Sequence, residues 1–332
     1  MARAEGRRIG ILLGVALLAA CAVPVPFAED LLFSTERDQL PRAQDCERCH
    51  RAVYEEWSGS AHASAWKSPG FTRVTADHTA GPCLDCHAPG PLGERGEIAL
   101  RADHREEGVT CVSCHLSTDP SHGRLAMRGP HERTAPLDVH PIVVDRLFLE
   151  PELCGTCHKA VLEEWKASPL PPDGKREVCQ HCHMPAVQRT IESTNPDVPY
   201  SGVLVALARN VDGRRHLFAV PEDARDDLEL RALPQTGKGL ALELHNGLPH
   251  AIPTGAFGRR EARVRVSWPG GERSELLRRD LEQRIAPGAA RRFDFPDVPA
   301  GAAWRAALER RRVDGAFEPL VELSAPGEGV GP

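Results

Sequence analysis

Residues 46–62 read CERCHRAVYEEWSGSAH, and residues 154–170 read CGTCHKAVLEEWKASPL. Both follow Cys-x-x-Cys-His-x-Ala-Val-x-Glu-Glu-Trp-x-x-Ser, so Trp57 corresponds to Trp165 and Ser60 to Ser168. The first copy ends in His62, where the second has Leu170. The opening pentapeptide occurs three more times, as Cys83-Leu84-Asp85-Cys86-His87, Cys111-Val112-Ser113-Cys114-His115 and Cys179-Gln180-His181-Cys182-His183. Ten of the 11 cysteines therefore fall into five identically spaced pairs, and each pair is followed at once by a histidine.

That spacing has a chemical meaning. Two intervening residues let a short turn set both thiols along one edge of a porphyrin, where they add across its two vinyl groups. The next residue then projects an imidazole under the ring as the proximal ligand of the iron. Zinc sites use such pairs in twos, which would leave a fifth pair without a partner, and neither zinc nor disulfide loops require His after all five. The expected cofactors are five covalently attached haems c. Cys46, Cys49, Cys83, Cys86, Cys111, Cys114, Cys154, Cys157, Cys179 and Cys182 hold the macrocycles, and His50, His87, His115, His158 and His183 are the proximal ligands.

Composition agrees with an interior built on something other than side chains. The chain has 332 residues but only 9 Phe, 5 Trp and 2 Tyr. The five motifs between Cys46 and His183 leave roughly 28 residues per haem, too few to wrap each in a conventional core. The haems themselves are expected to be that core. At 41% hydrophobic and 27% charged, the chain is neither disordered nor a polytopic membrane protein. A net charge of -6 excludes a nucleic-acid binder that relies on a basic surface.

The N-terminus reads as a targeting segment. Arg3, Arg7 and Arg8 precede an uncharged apolar run from Ile9 to Ala20, which is short for a bilayer-spanning helix. The run ends Leu18-Ala19-Ala20-Cys21, like a bacterial lipobox with Cys21 as the lipidated residue; ordinary cleavage after Ala28 is the alternative. Either way the mature protein is expected outside the cytoplasm, in the periplasm or on the outer surface, with a lipid as its membrane anchor.

These signals divide the chain into a signal peptide (1–20), a Pro-containing tether (21–44), a pentahaem region of helices and loops (45–195) and a β-rich region (196–332). In the last, period-two alternation at 227–230, 240–244, 263–266, 291–295 and 320–323, with turns at Pro269-Gly270-Gly271 and Ala286-Pro287-Gly288, predicts an antiparallel β-sandwich. Ser274 to Arg284 also reads as a helix on its edge, and Ala325 to Pro332 as a loose tail. The expected class is α+β.

Ten histidines lie outside the proximal positions: His62, His78, His104, His122, His131, His140, His181, His216, His245 and His250. That abundance favours haems ligated by two histidines. The distal candidates are His62, set apart by the repeat; His140, ahead of the fourth motif; His250, in a Pro-Thr-Gly loop; and His216 and His122. His78 and His104 are substitutes for any of these, and Met127 and Met184 could serve as sulfur ligands. If His250 binds iron, the sandwich must dock on the haem region.

Several segments together resemble the multihaem cytochrome c-552/4 family. They are Trp57-x-x-Ser60-x-His62, Glu107-Gly108-Val109-Thr110 before the third motif, the fifth motif continued by Met184-Pro185, and HNGLPHAIPTG at residues 245–255, where Pro249 stands in place of the usual Gly. The resemblance spans about residues 45–255. It implies electron transfer outside the cytoplasm between redox partner proteins, without nominating a catalytic residue or a substrate. An alternative is a multihaem reductase acting on a small nitrogen or sulfur compound at one haem with an open position. Against a nitrite reductase of this haem number, all five motifs end in His. Assembly into an oligomer or filament is left open.

Overall fold

Each Cys-x-x-Cys-His segment folds as a helical turn, which brings residues three apart onto one face. A computed structural model describes residues 40–325, apart from 94–95, 119–120, 122–124, 133–139, 171–177, 198–200, 220–225, 235–238, 256–259, 279–282 and 313. Cys21, His122 and the tail beyond Ala325 lie outside the described residues. The motif-bearing helices are α1 (Ala43–Ser58), α3 (Gly81–His87), α4 (Cys111–His115), α5 (Glu152–Gly155) and α7 (Cys179–His183). Between and after them come α2 (Pro69–Val74), α6 (Lys159–Lys166) and α8 (Ser201–Leu207). α1 is kinked at His50 (φ -117°, ψ 43°), so the motif turn and the Ala-Val-x-Glu-Glu-Trp helix are two segments joined at the histidine. In the repeat the same join falls at His158, the N-cap of α6.

The expected tether does not extend to residue 44. The amide of Leu40 donates to Asp103 (3.1 Å), the guanidinium of Arg42 reaches Glu106 and Glu107, and the amide of Ala43 donates to Glu107 (3.1 Å). Four amide and guanidinium donors thus tie the start of α1 to the loop ahead of the third motif.

Two small sheets brace the haem region. β1 (Leu116–Thr118), β2 (Leu125–Gly129) and β3 (Ile142–Val144) form one, with β2 and β3 parallel; β4 (Ala186–Arg189) and β5 (Val211–Arg214) form an antiparallel pair. The buried apolar residues of this part, such as Trp57, Phe71, Leu84, Val112 and Leu116, are scattered. The contiguous apolar core lies further along the chain.

That core sits between two antiparallel sheets. One has the order β10-β7-β6, from β6 (Leu228–Ala232), β7 (Leu240–Asn246) and β10 (Ala290–Phe295). The other has the order β12-β11-β8-β9, from β8 (Glu261–Trp268), β9 (Gly271–Arg278), β11 (Arg305–Arg311) and β12 (Phe317–Ser324). Alternation does the sorting: Leu240, Leu242 and Leu244 of β7 meet Ala262, Val264 and Val266 of β8, with Phe293, Phe295, Leu277 and Leu308. The fold is α+β, with a sandwich following the helical part.

The alternative of a helix over Ser274–Arg284 is corrected. Residues 271–278 form β9, in continuous register with β8 from Trp268↔Gly271 to Glu261↔Arg278. Its outer positions are charged because it is an edge strand, which blurs the alternation. β11 escapes sequence reading for the opposite reason. It is central, and Ala306, Ala307, Leu308 and Glu309 are all buried. Glu309 is accommodated by Arg263 (2.6 Å) and Arg265 (2.8 Å) on the adjoining strand. Burial alone would raise its carboxyl pKa, but the two guanidinium groups outweigh burial and hold it below the ordinary value.

Leu242 is fully buried in this core. Leu242→Ala is expected to destabilise the sandwich by about 2–5 kcal/mol, read as a lowered midpoint in chemical denaturation followed by circular dichroism, with the haem spectrum changing less than the β signal.

The sandwich docks on the second repeat. Glu164 of α6 accepts the Ala251 amide (3.1 Å) and pairs with Arg284 (3.3 Å), and Gly288 lies against Pro169 and Leu170. Among the described residues no helix is long and apolar enough to cross a membrane.

Candidate metal centres

Backbone carbonyls fix four of the five motif histidines. The Nδ1–H of His50 donates to Ile191 O (3.2 Å), His87 to Ala65 O (2.9 Å), His115 to Arg128 O (2.9 Å) and His183 to Ala219 O (3.0 Å). A proton held on Nδ1 leaves Nε2 as the ligating nitrogen and makes it more basic, the usual outer-shell arrangement for a metal-bound imidazole. Burial lowers the pKa of all five rings, which keeps them in the neutral form that binds metal.

Four of these rings face a second histidine. Ring centroids are 6.3 Å apart for His50 and His140, 6.2 Å for His62 and His158, 6.1 Å for His115 and His216, and 6.3 Å for His183 and His250. Two imidazoles bound to opposite sides of one metal ion, with bonds of about 2.0 Å and centroids ~1.1 Å behind the donor atoms, stand ~6.2 Å apart. The pairs therefore fit an iron between them. Burial, reinforced by nearby histidines, lowers His62, His216 and His250 to about 4 each. Among the described residues no cluster of three or more His, Cys, Asp or Glu could hold a bare metal ion, and no disulfide joins the ten motif cysteines.

His87, the histidine of the second motif, has different company. Phe71 stacks on His87 with centroids 3.7 Å apart and planes 6° from parallel. Among the described residues no histidine stands opposite His87 at the separation of the other pairs. His78, which was a substitute ligand, lies flat on Trp66 (4.1 Å) and donates through Nε2 to Trp66 O (3.0 Å). His104 caps a turn in a left-handed conformation (φ 45°). Met127 lies in β2 and Met184 follows α7.

The thiols give the order of the motifs in space. Cys46 lies beside Cys111, Cys86 beside Cys157 and Cys154 beside Cys179. Cys114 is near both Cys154 and Cys157. The first motif thus adjoins the third, the third adjoins the fourth, and the fourth adjoins both the second and the fifth.

Local packing explains why these side chains converge. Gly108 (φ +68°) brings the Glu107–Thr110 loop against residue 62: a Cβ on it would lie 2.3 Å from His62 O, and the amide of Val109 donates to that same oxygen (3.0 Å). The indole of Trp57 donates to Val109 O (2.8 Å). Arg101, 2% exposed, holds the same loop through Gly108 O, Thr110 Oγ1 and Asp103 O. Glu56 accepts two hydrogen bonds from Arg189 and one from the His216 amide (2.9 Å). Burial would raise its pKa, yet these donors outweigh burial and hold it low. Near the third motif Arg128 donates to Cys114 O (2.8 Å) and pairs with Asp145, while its buried Nη2 makes no protein hydrogen bond. A buried guanidinium with an unused donor suits a haem propionate. None of Arg101, Arg128, Phe71 and Phe218 is signalled by the motifs. The nearest hint is Phe218, two positions after His216.

Helical Cys-x-x-Cys-His turns gathered around a shared set of imidazoles, with few apolar side chains packed among them, have the arrangement of a multihaem c-type cytochrome. Residues 45–116 match the family model for cytochrome c554 and c-prime. In three dimensions the chain is similar to a penta-heme cytochrome c552 from Thermochromatium tepidum, with a TM-score of 0.55 and 17% identity, over 85% of this chain and 97% of that one. At that identity the likeness speaks for the fold. No curated protein sequence matches the chain.

Proposed function

We propose that the chain is an exported electron carrier holding five covalent haems, one on each Cys-x-x-Cys-His turn, and that it passes electrons between redox partner proteins outside the cytoplasm. The observation that carries this reading is the set of four histidine pairs 6.1–6.3 Å apart, each containing one motif histidine. In these roles His50, His87, His115, His158 and His183 are proximal ligands, and His140, His62, His216 and His250 are the distal ligands for the first, fourth, third and fifth motifs. Bound there, the haems supply reversible one-electron chemistry, tuned by axial ligand, burial and neighbouring charge. The polypeptide keeps each imidazole neutral and oriented, and neighbouring cysteines set the motifs side by side. The contact order makes the layout branched: first to third to fourth, with the second and fifth both reached from the fourth. Export follows from the N-terminal segment and from the haem-attachment chemistry, with Cys21 as the proposed anchor point.

A pyridine haemochrome assay on the purified mature protein is expected to give five haems per chain. Electron paramagnetic resonance of the oxidised protein is expected to give low-spin signals for the four centres with paired histidines. A colourless or zinc-containing protein from a host able to mature c-type cytochromes would overturn the reading.

A further inference from the structure

In the pairs of the first, third and fifth motifs, His50, His115, His183, His216 and His250 each have a partner at Nδ1. Among the described residues neither His62 nor His158 makes a side-chain hydrogen bond. The ring of His62 instead rests against Phe218, with centroids 4.3 Å apart and planes 57° apart. The same phenyl ring meets His216, the distal candidate of the third motif, edge-on at 5.8 Å and 88°. His216 is independently fixed, donating from Nδ1 to Arg214 O (3.0 Å). Phe218 therefore spans the distal imidazoles of two adjoining centres, one anchored by a hydrogen bond and one not.

The backbone at Phe218 marks the arrangement as imposed. Its φ of +48° lies in the left-handed region, which is rare for a bulky aromatic residue and persists only where the surroundings over-determine it. The neighbouring backbone is held on both sides: the Arg215 amide donates to Pro185 O (2.9 Å), the His216 amide to Glu56 (2.9 Å), and Ala219 O accepts from His183 (3.0 Å). This short strap touches the ligand sets of the third, fourth and fifth motifs.

We infer that Phe218 is a positioning residue that sets the plane of the His62 imidazole against the fixed plane of His216, and so tunes the centre at the branch point of the layout. The inference rests on the bis-histidine reading above. The orientation of an axial imidazole plane governs its π overlap with the iron and is read directly in low-spin resonance signals. Without a hydrogen bond to stop rotation, the His62 ring depends on the phenyl face beside it.

The test uses the full-length holoprotein with Phe218→Leu, Phe218→Ala and Phe218→Tyr, comparing low-temperature resonance spectra and haem content. The signal of the fourth centre is identified by its conversion to high spin in His62→Ala. In the Leu and Ala variants that signal is expected to shift, with a smaller change at the third centre. The signals of the His50–His140 and His183–His250 centres stay in place, and haem content is unchanged. Phe218→Tyr, which keeps the ring, is expected to retain the wild-type signal. A wild-type spectrum in the Leu variant overturns the inference, as does a uniform shift of all four signals, whatever happens to the Ala variant. Absence of bis-imidazole low-spin signals from the wild-type protein would instead sink the underlying reading.

Discussion

Replacing Cys154 and Cys157 together by alanine is expected to remove one haem of the five and to disconnect those that remain. The fourth motif is the one whose thiols meet both Cys86 and Cys179 and lie within reach of Cys114. Its loss leaves the first and third motifs as one group and the second and fifth without their shared neighbour. The control is the double replacement of Cys46 and Cys49, which also removes one haem but from the end of the row. Haem content should fall from five to four in both. Reduction by a small-molecule donor followed by equilibration among the haems should stay rapid in the end variant and become clearly multiphasic in the hub variant. Identical kinetics would refute the branched layout. Because the haems stand in for a hydrophobic core in this region, both variants are also expected to resist protease less well, the hub variant less than the end variant.

His250→Ala is expected to have a double effect, one spectroscopic and one mechanical. His250 lies in the loop between β7 and β8 and faces His183 at 6.3 Å. Its carbonyl accepts from Asn246 (3.0 Å), and Thr254 lies 3.1 Å from its Nδ1. The next residue, Ala251, donates to Glu164 on α6. Removing the imidazole should turn one low-spin centre high-spin and take away a link between the sandwich and the haem region, raising protease sensitivity between residues 196 and 227. His250→Met should keep a sixth ligand and the docking, and raise the potential of that one centre. An unchanged low-spin spectrum in the Ala variant would mean that His250 is not the ligand.

Much of this was legible in the chain because the chemistry leaves fixed spacings. The cysteine pairs and following histidines declare themselves, and alternation along residues 240–244 and 263–266 marks two core strands. The α+β organisation follows from the change in character near residue 196. Pairing of histidines is another matter. His140, His216 and His250 stand far along the chain from the rings they face, and nothing local in the sequence links them. His62 is marked by the family resemblance and by the repeat, which lacks its counterpart at Leu170, and it faces His158, the motif histidine of the other copy. Backbone acceptors such as Ile191, Ala65, Arg128 and Ala219 are invisible in principle, since any residue supplies a carbonyl. β11 was hidden because a central strand buried on both faces does not alternate. Ser274–Arg278 misled because an exposed edge carries charges at both parities.

The crossing of the two repeats also bears on how the protein comes into being. Synthesis delivers the chain from its N-terminus, so His62 has already emerged when the fourth motif follows it. His140, His216 and His250 are made long after the motifs they face. Each of those three centres must therefore wait, half-dressed, for a segment still to come, and the last of them matures only when the sandwich has closed. The fourth centre, alone of the four, meets a partner that is already there, which makes the junction of the circuit the natural place for assembly to begin.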